Sequence, residues 1–277
     1  MEFAYVSRRP PAQLRRYVES VWYARGRIDY PRERIAPTGS TVAVVVLGAP
    51  IREIPDDGRG IPYVADRGLL LGPHDRPVVN EPTGETHCAG VVTTAVGCHA
   101  VFGVDPAPLR GRVVDLDLAW PRAVALRRTL LGLADAEASI DAVCATLVEG
   151  LGPGRHGITR IAAAVRALED DPCRSIGDLA AHLGVSHGFL DREFTAVVGL
   201  SPRALSRILR LRVLLSSLDV YAPVDWTSLA AGLGWFDQSH LIRDFKRHTG
   251  VTPSQYVAAQ RGGFTPDQAE PGFVPER

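Results

Sequence analysis

The sequence predicts an α+β chain, with an N-terminal strand-rich barrel or sandwich-like domain carrying trailing helices and a C-terminal all-α domain of two helix-turn-helix units joined by a helix. Three observations carry that prediction. Through residue 118, short β-branched and apolar runs alternate with Pro-, Gly- and Asp-rich turns. From Trp120 the apolar period becomes helical, and between Ile176 and Tyr256 the chain says nearly the same thing twice.

In chain order, Pro10-Pro11 opens a turn or short helix that leads into a strand over Val18–Ala24. The turn signal Pro37-Thr38-Gly39-Ser40 precedes Thr41–Leu47, a β-branched run too short for most buried helices and read as a buried strand. Residues 50–62 are rich in Pro, Gly and Asp and read as a surface loop. Further strands are expected at Leu69–Leu71, His87–Val96 and Val113–Leu118, and a sheet of such strands closes most naturally as a barrel or sandwich. Helices are expected over Trp120–Leu133 and Ala138–Leu151, the latter from the spacing of Ile140, Val143, Cys144, Leu147 and Val148. The breaker-rich Leu151–Gly157 reads as a linker. The expected boundaries are therefore 1–151, 157–261 and a flexible tail over 262–277.

The repeat is the most informative stretch. Ile176-Gly-Asp-Leu-Ala-Ala-His-Leu-Gly184 matches Trp226-Thr-Ser-Leu-Ala-Ala-Gly-Leu-Gly234, then Leu190–Phe194 matches Leu241–Phe245 and Gly199–Pro202 matches Gly250–Pro253. In each copy an apolar stripe at helical spacing ends on a glycine suited to positive φ, and a second helix follows, with Ser186 as its N-cap in the first unit. Leu190, Phe194, Leu241 and Phe245 are expected to anchor the second helices. Their outer faces would carry His187, Gly188, Asp191 and Arg192 in one unit and Gln238, Ser239, Ile242 and Arg243 in the other.

The run Gly234–Arg247 followed by Gly250-Val-Thr-Pro253-Ser-Gln-Tyr256 resembles the DNA-binding signature of AraC-type (AraC/XylS family) bacterial transcriptional regulators, over about the last third of the chain. The chain departs from that pattern at Trp235, where the family usually has Phe, at Gly188, which has no side chain to read a base, and at the acidic Asp191. The resemblance implies a sequence-specific regulator of transcription acting as a homodimer on double-stranded DNA, with RNA polymerase a further partner, as for an activator. Its first domain would bind a small-molecule effector. A guanidinium can grip guanine bidentately and Gln238 can bridge adenine, so Arg192, Arg243 and Gln238 are the expected readers; Arg207, Lys246 and Arg247 are the expected phosphate clamps.

Composition sets outer limits. Formal net charge is zero, and residues 157–261 hold 12 basic and 10 acidic residues, a balance of +2, so attraction to DNA depends on where the arginines sit. No stretch approaches the roughly 18 apolar residues of a membrane span, and the N-terminus lacks a secretory pattern, so a cytoplasmic protein is expected. Cys88, Cys98, Cys144 and Cys173 form no C-x-x-C pair, and no metal or cofactor is expected. His87, Cys88, Cys98 and His99 read as core or pocket residues because neighbours on a strand face opposite ways. Trp22, Tyr23, His74 and His99 are the effector-contact candidates. No catalytic residue is expected; the alternative is a cysteine-dependent enzyme fused to a DNA-binding module, such as an alkylation-repair protein, with Cys88 or Cys98 as an activated thiol.

Overall fold

The computed structural model describes residues 3–55, 62–154, 157–265 and 271–276. It has the α+β architecture expected: two antiparallel sheets and trailing helices, then an all-α region containing both helix-turn-helix units.

The larger sheet has the order β1 (Ala4–Arg8), β2 (Val18–Gly26), β9 (Thr86–Thr93), β4 (Val42–Val46), β7 (Gly68–Leu71) and β10 (Val113–Asp115). The smaller runs β11 (Phe273–Glu276), β3 (Arg32–Ile35), β8 (Val78–Pro82), β5 (Ile51–Pro55) and β6 (Tyr63–Ala65). Period-two alternation divides the large sheet. One face, with Val21, Tyr23, Ala43, Val45, Ala89 and Val91, is buried against a helical layer of α1 (Cys98–Phe102), α2 (Leu116–Ala119), α3 (Arg122–Leu131) and α4 (Ala136–Gly150). The other, with Ala24, Val44, Val46, Leu69 and Cys88, packs with Ile51 of the small sheet. Gly90 stands opposite Trp22 in the β2–β9 ladder, where a Cβ would collide with the indole; glycine is what lets the ring lie flat across the strand.

Three expectations need correction. Residues 51–55 were expected in a surface loop; they form β5, because Ile51-Arg52-Glu53-Ile54 alternates inward and outward between two partner strands. The rest of that expected loop, 56–61, lies outside the described residues. The strand expected over Val113–Leu118 stops at Asp115, whose carboxylate accepts from the Leu118 N–H at 3.0 Å and caps α2. The tail expected to be flexible returns as β11 to pair with β3, and Val274, 1% exposed, is buried in the core of the second helix-turn-helix unit. That unit supplies an apolar slot which no local pattern in the tail could announce.

The all-α region comprises α5 (Ile158–Asp170), α6 (Ile176–His182), α7 (His187–Val198), α8 (Pro202–Ser217), α9 (Trp226–Gly232), α10 (Gln238–Thr249) and α11 (Pro253–Gly263). Its two cores are separate. Leu179, Leu190, Phe194 and Val198 form the first, around Ile161 and Leu168 of α5; Ala230, Trp235, Leu241, Phe245 and Tyr256 form the second. Both take in residues of the first domain: Ala95 and Val96 in one, Ala36 in the other.

Candidate DNA-binding face

The repeated motif has a local physical cause in each unit. Gly184 (φ +67°) and Gly234 (φ +74°) make the left-handed turn between the two helices. Ser186 accepts from the Phe189 N–H at 3.2 Å and Asp237 from the His240 N–H at 2.6 Å, so α7 and α10 each begin on a side-chain cap. At the far ends Gly199 (φ +81°) and Gly250 (φ +77°) terminate those helices. Ser201 and Thr252 then cap α8 and α11, each with proline just inside the helix. The Gly-x-[Ser/Thr]-Pro motif is thus a helix stop followed by a helix start.

On α7, Leu190 and Phe194 are fully buried, leaving His187, Gly188 and Arg192 exposed and Asp191 half-buried. On α10, Leu241 and Phe245 are fully buried; Gln238, Ser239, Arg243 and Lys246 are exposed and Ile242 is half-buried. Among the described residues no ion pair ties down Arg192, Arg243 or Lys246, so their charges stay available to a ligand. Arg207 is half-buried on α8.

Other arginines are engaged within the chain. Arg210 donates to the Gly234 carbonyl at 3.1 Å and lies 5.3 Å from the Trp235 ring centroid, fastening α8 to the second turn. Trp235 donates from its indole to Asp244 at 3.1 Å, so the unusual tryptophan brings a polar atom into the core together with an acceptor for it. Arg212 pairs with Glu19 at 2.7 Å. Arg247, expected as a phosphate clamp, donates instead to Asp75 in the loop after β7 at 2.7 Å, while His248 Nδ1 donates to the Asp75 carbonyl at 2.8 Å. Burial raises the Asp75 pKa, but the hydrogen bond and charge of Arg247 outweigh it and hold that carboxyl below its usual range. With a depressed folded-state pKa, this pair contributes fully above the ordinary carboxylate pKa and is lost only as pH falls below it.

The four effector candidates are not brought together. Trp22 lies between the sheets, whereas Tyr23 points to the helical layer and meets His87 Nε2 at 3.0 Å. His74 is buried beside the junction with the all-α region, its Nδ1 donating to the Gly72 carbonyl at 3.0 Å, and burial holds it below the usual histidine range. His99 lies on α1 and contacts Asp105 at 3.1 Å. Two features were missed. Phe236 is 94% exposed immediately before the Asp237 cap of α10, and beside Trp235 its sequence gave no sign which ring would be buried. Glu33, Asn80 and Glu53 face the space between the sheets, a polar row on strands too short to recognise.

The thiols do not fit an activated nucleophile. Burial pushes Cys88 up to about 12, with the Glu33 charge adding to it, and Cys98 up to about 11. In native protein a thiol reagent should therefore modify the exposed Cys173 first and reach Cys88 and Cys98 only on unfolding. Fast labelling of Cys88 or Cys98, read by peptide mass spectrometry, would reopen the enzyme reading. No three His, Cys, Asp or Glu residues gather as a metal site among the described residues, and no described helix is long and apolar enough to cross a membrane.

A capped pair of helix-turn-helix units, each with an arginine exposed on its second helix, is an architecture of DNA-binding proteins. Residues 179–259 match a family model described as a helix-turn-helix domain, and this C-terminal region is a helix-turn-helix domain of the AraC/XylS type. Residues 7–115 match a second family, described as a domain of unknown function (DUF6597). No curated protein matches the chain. Among solved structures, ToxT from Vibrio cholerae aligns over 93% of this chain and 98% of its own at 10% identity, with a TM-score of 0.49. ToxT with bound unsaturated fatty acid aligns over 92% and 94% at 11% identity, with a TM-score of 0.46. A probable AraC family transcriptional regulator from Rhodopseudomonas palustris is 27% identical over 36% of this chain and 95% of its own, with a TM-score of 0.32.

Proposed function

We propose that this regulator reads two subsites on double-stranded DNA with α7 and α10, and that its first domain binds a small-molecule effector that sets DNA affinity by shifting an equilibrium between forms. The observation that carries the reading is the pair of buried, separately packed anchors, Leu190/Phe194 and Leu241/Phe245, each leaving an unpaired arginine exposed on the same helix. In this reading Arg192, with His187, Gly188 and Asp191 around it, contacts one subsite; Gln238, Ser239, Ile242 and Arg243 contact the other. Arg207 and Lys246 hold phosphates. Selection from random duplexes should return a bipartite site, and Arg192→Ala should weaken that site by about 1 to 3 kcal/mol more than random DNA. Equal losses on both would make Arg192 a phosphate contact, and a single undivided site would remove one unit from the reading.

The domains in this proposal are 1–151 for effector binding and dimerisation and 157–261 for DNA. Homodimer formation is supported by Val124, Leu131 and Val148, exposed on α3 and α4; contact with RNA polymerase, as for an activator, rests on the family resemblance.

The Asp75–Arg247 pair gives the first domain a hold on α10. For Arg247 to clamp a phosphate this pair must open, and Asp75→Asn should raise affinity for random DNA several-fold at low salt, with a steeper salt dependence as one more cation becomes available. Unchanged affinity and slope in a salt titration would mean that Arg247 never reaches DNA.

A further inference from the structure

The inner face of the five-stranded sheet carries a row of polar side chains in an otherwise apolar interior. Glu33 of β3 and Glu53 of β5 are both register partners of Asn80 on the strand between them, so the three side chains project from one line on one face. Glu33 is 5% exposed and Glu53 8% exposed. Glu33 is held: Tyr30 donates to one oxygen at 2.8 Å and the Asn80 amide to the other at 3.0 Å. Glu53 Oε2 and Asn80 Oδ1 are different. Among the described residues both are buried acceptors with no hydrogen-bond donor.

Two adjacent orphan acceptors are costly, since each forgoes the hydrogen bond that water would give it. Among the described residues no donor reaches either atom. Arginines abound on these strands, but Arg32, Arg34 and Arg52 alternate to the opposite face, where they pair with Glu81 and Glu276. The interior beside the row is apolar, with Ile51 of the same strand as Glu53, and Ala24, Val44, Cys88 and Trp22 of the facing sheet. Burial, with the neighbouring Glu33 charge, pushes Glu53 well above the usual carboxylate range, as expected of a carboxyl with no cation beside it.

We propose that this row is a binding site for a small organic cation, with a primary ammonium head donating to Glu53 Oε2 and Asn80 Oδ1 and an apolar body lying against Trp22 and Ile51. The chemistry chooses among ligand classes. An ammonium brings three donors and no acceptor, matching an acceptor-only site, and its charge favours the ionised form of Glu53. A carboxylate ligand would face Glu33 and Glu53 with like charge and nothing to donate. A neutral diol could donate hydrogen bonds but would bring no charge to favour the ionised form of Glu53.

The inference rests on the reading of the first domain as effector-binding, but the cation site itself is tested without DNA. Full-length protein is titrated calorimetrically at neutral pH with n-butylammonium chloride, and in parallel with sodium butyrate and 1,4-butanediol. Expected are saturable binding of the ammonium alone and an affinity at least about tenfold weaker in Glu53→Gln. Glu53→Gln keeps an acceptor oxygen and removes the charge, and its melting curve shows whether it is folded. Arg52→Gln, a change on the opposite face of the same strand, should bind as the wild type does. Absence of saturable ammonium binding, equal binding of the diol, or undiminished binding by folded Glu53→Gln overturns the proposal. A final arm repeats DNA binding with n-butylammonium present: saturable binding without any effect on DNA leaves the cation site standing and removes its role as effector site.

Discussion

Displacing the two DNA subsites of one protomer by about 5 base pairs, half a helical turn, should reduce binding to that of a single unit, a loss of about 10²- to 10⁴-fold, while displacement by a full turn restores part of it. The reason lies in α8. Its 16 residues, at about 1.5 Å each, span roughly 24 Å, and the same helix serves both cores: Leu205, Ile208 and Leu209 pack in the first, Leu211, Leu214 and Leu215 in the second. Arg210 adds a polar fastening to the second turn. A continuous helix buried at both ends transmits orientation as well as distance, so α7 and α10 hold a fixed phase relative to each other. Successive major-groove segments recur about every 34 Å on one face of the duplex, and a half-turn shift puts one subsite on the far side. Electrophoretic titrations with operators displaced by about 0, 5 and 10 base pairs decide the matter. Equal affinity across the series would mean that only one unit reads DNA.

How far the sequence carried depended on how local each signal was. The capped second helices, their buried anchors and the connecting helix were all legible between Ile176 and Tyr256, because Gly184, Ser186, Gly199 and Ser201-Pro202 each act within a few residues and recur in the second unit. The small sheet was not. β3, β6 and β11 have only three or four residues each, and β5 and β8 place Glu53 and Asn80 where the pattern calls for apolar side chains. Those polar residues hid the strands and also make the interior chemically distinctive. Trp22 and Tyr23 show a related limit: both are aromatic and at least partly covered, but alternation along β2 sends them to opposite faces, so adjacency in sequence misled about a shared pocket. Arg247 looked as free as Arg243 until the fold brought Asp75 within 2.7 Å, a contact between residues 172 positions apart.

Phe245→Ala should remove the second unit and spare the first. The Phe245 ring is fully buried, with its centroid 6.1 Å from that of Trp226 and 5.4 Å from that of Tyr256, both edge-on. Replacing such a ring by a methyl group costs about 3 to 5 kcal/mol, against a whole-domain stability of only about 5 to 15 kcal/mol. The loss falls on a core made of Leu211, Leu214, Leu241 and Tyr256, whereas Phe194 and its neighbours form a different cluster. Denaturant unfolding followed by tryptophan fluorescence should show an early transition, since Trp226 and Trp235 both report from the second unit. In footprints the subsite bound by α10 should lose protection while that bound by α7 keeps it at higher protein concentration. Arg243→Ala should lose the same subsite with the unfolding curve unchanged, which separates removal of a contact from removal of the fold beneath it. Simultaneous loss of both subsites in Phe245→Ala, with a single transition at lower denaturant, would mean that the units fold as one body and that α8 couples their stability as well as their orientation.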